Sequence, residues 1–185
     1  VIEAIRKLSS DKGVDELRVL HPLITEARWL FGPEFDSPEF VSNKQLGTVV
    51  QEVFGKKIQS CNFLNNKKRP DLVVMKDASL SCTGTESINP ESSMMEMHQI
   101  LIVELKRGGF KIGRDERNQA QGYVEDIIGC GSLLGNPFVF AYVVGETIEE
   151  KVANIDIKDK NDSNRGKLRL TSFAQLVDTA EKRLF

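Results

Sequence analysis

Gln99-Ile100-Leu101-Ile102-Val103-Glu104-Leu105-Lys106 is the stretch on which the fold of this chain turns. Its apolar residues are nearly continuous, and such a run predicts a strand buried on both faces of a sheet. The run then ends in a carboxylate and an ammonium. Residues two apart share one face of a strand, so Glu104 and Lys106 project from the same side. Charged side chains facing a core are costly unless they are paired or bound to a metal. The end of this strand therefore calls for chemistry as well as packing.

Working upstream, Asp71-Leu72-Val73-Val74-Met75 is a short apolar strand entered through Pro70, and it is read as the neighbour that brings Asp71 towards Glu104. Between the two strands, residues 77–97 are rich in Ser, Glu, Asn and Thr, carry Gly84 and Pro90, and are read as an exposed insertion. Ile58, Ser60 and Phe63 suggest another strand after Lys56. Leu46, Val49, Val50 and Val53 place a helix over Asn43 to Phe54, ended by Gly55. Residues 1–31 are expected to be helical but broken at Gly13 and Pro22, and Phe31 to Pro38 to be a loop.

Downstream, Ala120, Val124, Ile127 and Ile128 form the apolar stripe of a helix from Asp115 to Ile128. Phe138 to Val144 is a second buried strand, ended by Gly145. The polar segment 156–166 is read as a loop, and Phe173 to Phe185 as a closing helix. No internal repeat or domain boundary is visible. The expected architecture is a single domain over residues 1–185, of the α/β class, with a mixed central β-sheet flanked by helices.

A chain of 185 residues buries enough surface for a core without disulfide support. No apolar run approaches the roughly 20 residues that span a bilayer, and no secretory signal opens the chain, so a cytoplasmic location is expected. Val1 rather than Met stands first, and the chain is expected to be the C-terminal part of a longer protein. The three cysteines, Cys61, Cys82 and Cys130, form no CxxC pair, and His21 and His98 form no HExxH arrangement. Disulfide frameworks and zinc hydrolases are thereby disfavoured. A net charge of −2 announces no nucleic-acid partner, so local clusters must carry that case.

Two carboxylates meeting at a strand edge, Asp71 and Glu104, are the donors that Mg²⁺ or Mn²⁺ takes, with waters completing the shell. Such a cation polarises a phosphoryl oxygen and acidifies a bound water. The ammonium of Lys106 beside them would orient that water or balance charge building on a phosphate. Basic residues flank the set on both sides: Lys67, Lys68 and Arg69 before Asp71, and Arg107, Lys111, Arg114 and Arg117 after Lys106. Phosphate contacts dominate nucleic-acid affinity, and Lys68, Arg69, Arg107, Lys111 and Arg114 are taken as the candidates for them. A solvated basic face fits the same residues.

Pro70-Asp71, then Ile102-Val103-Glu104-Leu105-Lys106, then Gln119-Ala120-Gln121-Gly122-Tyr123 on the following helix resemble the PD-(D/E)xK nuclease superfamily. Within it the chain looks most like the nuclease domain of Shedu-type antiphage defence proteins (DUF4263-like). Trp29-Leu30-Phe31-Gly32 and the closing Leu170-Thr171-Ser172-Phe173-Ala174-Gln175-Leu176 add to that likeness, whose core covers roughly residues 26–145. The resemblance implies a restriction-endonuclease-like core and a metal-dependent endonuclease, with Asp71, Glu104, Lys106 and Gln119 catalytic. Asp71, Glu104 and the backbone carbonyl of Leu105 would hold the metal. It further implies DNA as substrate, a role in antiviral defence, and a homo-oligomer or a regulatory module in the same chain. The long gap from Asp71 to Glu104 departs from the pattern.

The superfamily often adds an acidic residue from the first core helix, for which Glu26 and Glu52 both qualify. A catalytically inactive nuclease-like module that binds nucleic acid or assembles, and an RNA-directed nuclease, fit the same residues. Gly129-Cys130-Gly131 and Gly135 imitate a dinucleotide fingerprint but follow a helix and precede a strand, the reverse of the order that mechanism requires. They are read as helix termination, and Trp29 as a packing aromatic.

Overall fold

A computed structural model describes residues 1–9, 16–40, 46–50, 72–74 and 78–184, and the statements that follow concern these. In chain order the helices are α1 (Ile2–Ser9), α2 (Glu16–Glu26), the helical residues 46–50 (α3), α4 (Arg114–Gly129) and α5 (Phe173–Leu184). The strands are β1 (Leu72–Val74), β2 (Ala78–Ile88), β3 (Met95–Lys106), β4 (Lys111–Ile112), β5 (Phe138–Gly145), β6 (Thr147–Ile148), β7 (Ile155–Lys158) and β8 (Asn164–Ser172). Six of them form one sheet in the order β1-β2-β3-β5-β8-β7, while β4 pairs with β6. The chain is thus α/β, with a mixed sheet flanked by helices. No described helix is long and apolar enough to cross a membrane.

The apolar run of β3 lies at the centre of this sheet because both of its faces are covered. Ile100 and Ile102 point into one core, with Leu46, Val49 and Val50 of α3 and Tyr123, Val124 and Ile127 of α4. Leu101, Val103 and Leu105 point into the other, with Leu20 and Ile24 of α2 and Phe173, Leu176 and Val177 of α5. β3 and β5 run parallel, in the register Ile102↔Ala141, with α4 in the connection between them. A parallel pair requires such a crossover, and packing the helix back on the sheet supplies it.

Three local expectations are corrected. Residues 78–88 are a sheet strand rather than part of an exposed insertion: β2 pairs with β3 along its whole length, from Ala78↔Lys106 to Ile88↔Met95. Leu80, Cys82 and Gly84 are buried while Ser81 and Thr83 between them are not. That period of two, diluted by small polar residues, is the signature of an antiparallel strand with one covered face. The turn is confined to the residues after it, where the Asn89 side-chain oxygen accepts from the N–H groups of Glu91 and Ser92 at 2.8 and 3.3 Å.

The segment 156–166 is likewise the β7–β8 hairpin. Its turn is closed by Asp159 Oδ1, which accepts from the N–H groups of Asn161 and Ser163 at 2.8 and 3.0 Å. Leu168 and Leu170 then alternate inward. Pro22, expected to break a helix, lies inside α2. The local cost, about 3 kcal/mol for an interior proline, is outweighed here by burial of Leu20 and Ile24 on either side of it.

A fourth correction concerns the order of the strands. β1, the strand that follows Asp71 in sequence, pairs with β2 (Leu72↔Ser81) and not with β3. The two motif strands are next-but-one neighbours. Adjacent strands sit about 4.8 Å apart, so β1 and β3 are roughly twice that distance from each other.

Leu80, 0% exposed, separates the two descriptions of residues 78–88. Leu80→Ala is expected to destabilise the domain by about 2–5 kcal/mol, as for other buried leucines, measured by urea unfolding. An exposed insertion would lose nothing measurable.

Candidate functional site

β3 delivers Glu104 and Lys106 to its C-terminal end, on the face covered by α3 and α4. Across the ladder Glu104 stands between Leu80 of β2 and Val143 of β5, so its flanks are aliphatic. Glu104 is 1% exposed and Lys106 6%. The Lys106 Nζ lies 2.6 Å from Glu104 Oε1, an ion-pair distance. Among the described residues Glu104 Oε2 meets no hydrogen-bond donor. Burial pushes the Glu104 carboxyl above the ordinary carboxylate range; the Lys106 charge opposes that shift, and the Glu116 charge adds slightly to it. A buried carboxylate oxygen left without a donor is rare, because an unmet acceptor costs on the order of 1–3 kcal/mol or more.

Beyond Lys106 the chain turns sharply. The Phe110 N–H donates to the Arg107 carbonyl at 3.2 Å, with Gly109 at φ +72° in the third position, where a side chain would be strained. The turn returns the Phe110 ring over the Lys106 ammonium, 5.2 Å from Nζ to the ring centroid. Phe110 is held from behind as well: its carbonyl accepts from the Glu146 N–H at 2.9 Å. A Cβ on Gly145 would come within 3.0 Å of that carbonyl and 2.9 Å of Ile112 Cγ1, so β5 ends in glycine where this segment presses on it.

α4 opens at Gly113, whose N–H donates to Glu116 Oε2 at 2.8 Å. Gly113 has no side chain, so this is the return half of a capping box alone. One turn further, the Gln119 amide donates to the Tyr123 hydroxyl, and Tyr123 is buried in the core under Glu104's face. Sequence periodicity places Gln119 and Tyr123 on one helix side; the structure buries Tyr123 in the core and leaves Gln119 exposed. Glu116 and Phe110 were not singled out from the sequence. The first was legible as a glutamate three residues after a helix-opening glycine; the second had no signal short of knowing how the glycine turn folds back.

Glu104, Lys106 and Tyr123 share one sheet face, with Gln119 at its border. Leu105 sits in the ladder between Ser79 and Val144, and its side chain enters the opposite core. Arg107, Lys111 and Arg114 are exposed around the turn and the start of α4. Lys111 and Arg114 border a cleft shared with Thr147, Glu149 and Lys151. Glu26 is exposed at the end of α2, whose Leu20 and Ile24 pack on the face opposite Glu104. It is not brought to the site. Asp71, Lys67, Lys68, Arg69 and Glu52 lie outside the described residues.

Among the described residues no three His, Cys, Asp or Glu side chains gather to hold a metal. Glu104 by itself fits a hard divalent cation in one respect: a carboxylate oxygen without a donor, Oε2, is the ligand type such an ion takes.

Removing the ammonium tests this environment. In Lys106→Ala the Glu104 carboxyl loses the charge that lowers its pKa and stays neutral to a higher pH. A folded pKa raised above the unfolded one gives stability that is held at low pH and lost as pH rises. Urea unfolding is expected to show the variant about 3 kcal/mol less stable than the native chain at pH 8, as for other broken buried pairs, with a smaller gap at pH 5. A gap independent of pH would mean that Glu104 does not titrate as its burial requires. Comparison with family models, with curated proteins and with solved structures gives no match for this chain.

Proposed function

We propose that this chain is a nuclease of the PD-(D/E)xK type that hydrolyses DNA phosphodiesters with a divalent cation, Mg²⁺ or Mn²⁺. The observation that carries the reading is Glu104: a buried carboxylate at a strand end, with an ammonium from the same strand face against Oε1 and no donor to Oε2 among the described residues. A fold that merely needed packing there would place an aliphatic residue between Leu80 and Val143. The arrangement of an antiparallel β1-β2-β3 with β5 added in parallel after a helix supports a restriction-endonuclease-like core.

Glu104 would hold the cation together with an aspartate from the segment before β2. The resemblance favours Asp71. Asp77 is a second candidate, since it precedes Ala78, the residue paired with Lys106. When bound, the cation would polarise a phosphoryl oxygen and acidify a water. Lys106 would balance charge accumulating on the phosphate. The Gln119 amide, oriented by its bond to Tyr123, would help to place the attacking water. Arg107, Lys111 and Arg114 would bind the phosphates on either side. The setting in antiphage defence and gating by another module or by oligomerisation rest on the resemblance alone.

The placement of β2 between β1 and β3 favours a second reading, a catalytically inactive nuclease-like module that binds or assembles. Calorimetric titration with Mn²⁺ and cleavage of plasmid DNA separate the two. The active reading expects metal binding that disappears in Glu104→Ala, and cleavage that falls at least about 100-fold in Lys106→Ala even at a pH high enough to ionise Glu104, where metal binding persists. Asp71→Ala and Asp77→Ala identify the second ligand. Absence of metal binding in the native chain would favour the module, and cleavage of RNA in preference to matched DNA would change the substrate.

Metal binding also carries a pH signature. The ion needs Glu104 ionised, and burial makes that carboxyl harder to ionise than an exposed one. Mn²⁺ affinity is expected to weaken as pH falls, beginning above the range in which exposed carboxylates titrate. Calorimetry across pH 5 to 8 measures this.

A further inference from the structure

An ammonium that is 6% exposed needs a partner at all times, and among the described residues Lys106 has two of unlike kind: the Glu104 carboxylate and the face of the Phe110 ring. The carboxylate is the partner that a bound cation would claim. The ring is neutral and keeps its quadrupole whatever Glu104 does. From this geometry we infer that Phe110 is a positioning residue, whose ring face holds the Lys106 ammonium in place when Glu104 turns its charge to the metal. The inference rests on the nuclease reading and names a residue beyond it.

The chain holds Phe110 in place from three sides. Gly109 permits the turn that folds the ring back, the Phe110 N–H closes that turn on Arg107, and the Phe110 carbonyl is tied to Glu146 at the end of β5. The Gly145 contact leaves the segment no room to shift toward β5. A ring fixed in this way acts as a surface against which a flexible four-carbon side chain is set. An apolar residue of similar volume would fill the space but offer the ammonium nothing, so it would drift between metal, phosphate and water.

Substitution at Phe110 separates a filling role from a holding one. In Phe110→Leu, cleavage of plasmid DNA with Mg²⁺ is expected to fall about tenfold in kcat with KM within about twofold of native. Phe110→Tyr and Phe110→Trp are expected to retain the rate within about threefold, because both keep an aromatic face. A second readout needs neither metal nor substrate: NMR of the Lys106 Cε protons. With Nζ 5.2 Å from the ring centroid, the adjoining Cε protons are expected upfield, and the shift should persist in Phe110→Tyr and vanish in Phe110→Leu.

A native rate in Phe110→Leu, or equal losses in the leucine and tryptophan variants, would overturn the inference. So would the absence of an upfield shift in the native chain. If the native chain cleaves neither DNA nor RNA, the nuclease reading fails. The Cε shift then still decides whether the ring holds the ammonium.

Discussion

Taking a carboxylate out of water costs several kcal/mol even after the surroundings relax, and a single ammonium returns only part of it. Glu104 meets that cost on a central strand of the sheet, between Leu80 and Val143, with Lys106 as its ion-pair partner and no donor to Oε2 among the described residues. Replacing such a pair by well-packed apolar side chains is often neutral or stabilising. The pair is therefore a burden on the fold, and much of the neighbouring structure can be understood as the support that keeps it in one geometry.

That support comes from both sides of β3. β2 runs antiparallel along its whole length and β5 runs parallel as far as Leu105, so Glu104 is paired on both edges and Lys106 on the β2 side. The glycine turn after Lys106 brings Phe110 back over the ammonium, and the tight passage at Gly145 keeps it there. α4 begins immediately afterwards, its first turn tied by the Gly113 and Glu116 contact, and sets Tyr123 into the core on Glu104's own face. The opposite face carries the apolar cover of α2 and α5 and, of the described candidate charges, Glu26 alone.

Overall charge says little about a partner, since the chain is nearly balanced at −2. Position says more. Arg107, Lys111 and Arg114 are exposed within a few residues of the buried pair, on the segment that leads from β3 into α4. A polyanion drawn to that rim would be led to the strand end. The same rim holds Glu149 and Glu150, which makes its attraction local and sensitive to salt.

The periodic signals in the sequence were enough for every element whose pattern is long and apolar: β3, β5, α4 and α5 lie where the spacing of their residues puts them. They were enough, too, to place Glu104 and Lys106 on one side of a strand, because a two-residue period is a property of the local backbone. They were not enough for β2 and β8. In β2, Leu80 and Cys82 alternate with serine and threonine, a pattern that composition alone reads as loop; in β8, Leu168 and Leu170 alternate with Lys167 and Arg169. Nor could local pattern say which strands are neighbours. Pairing is decided by contacts far apart in sequence, and only the assembled sheet set β2 between β1 and β3, folded Phe110 onto Lys106, and removed Glu104 from water.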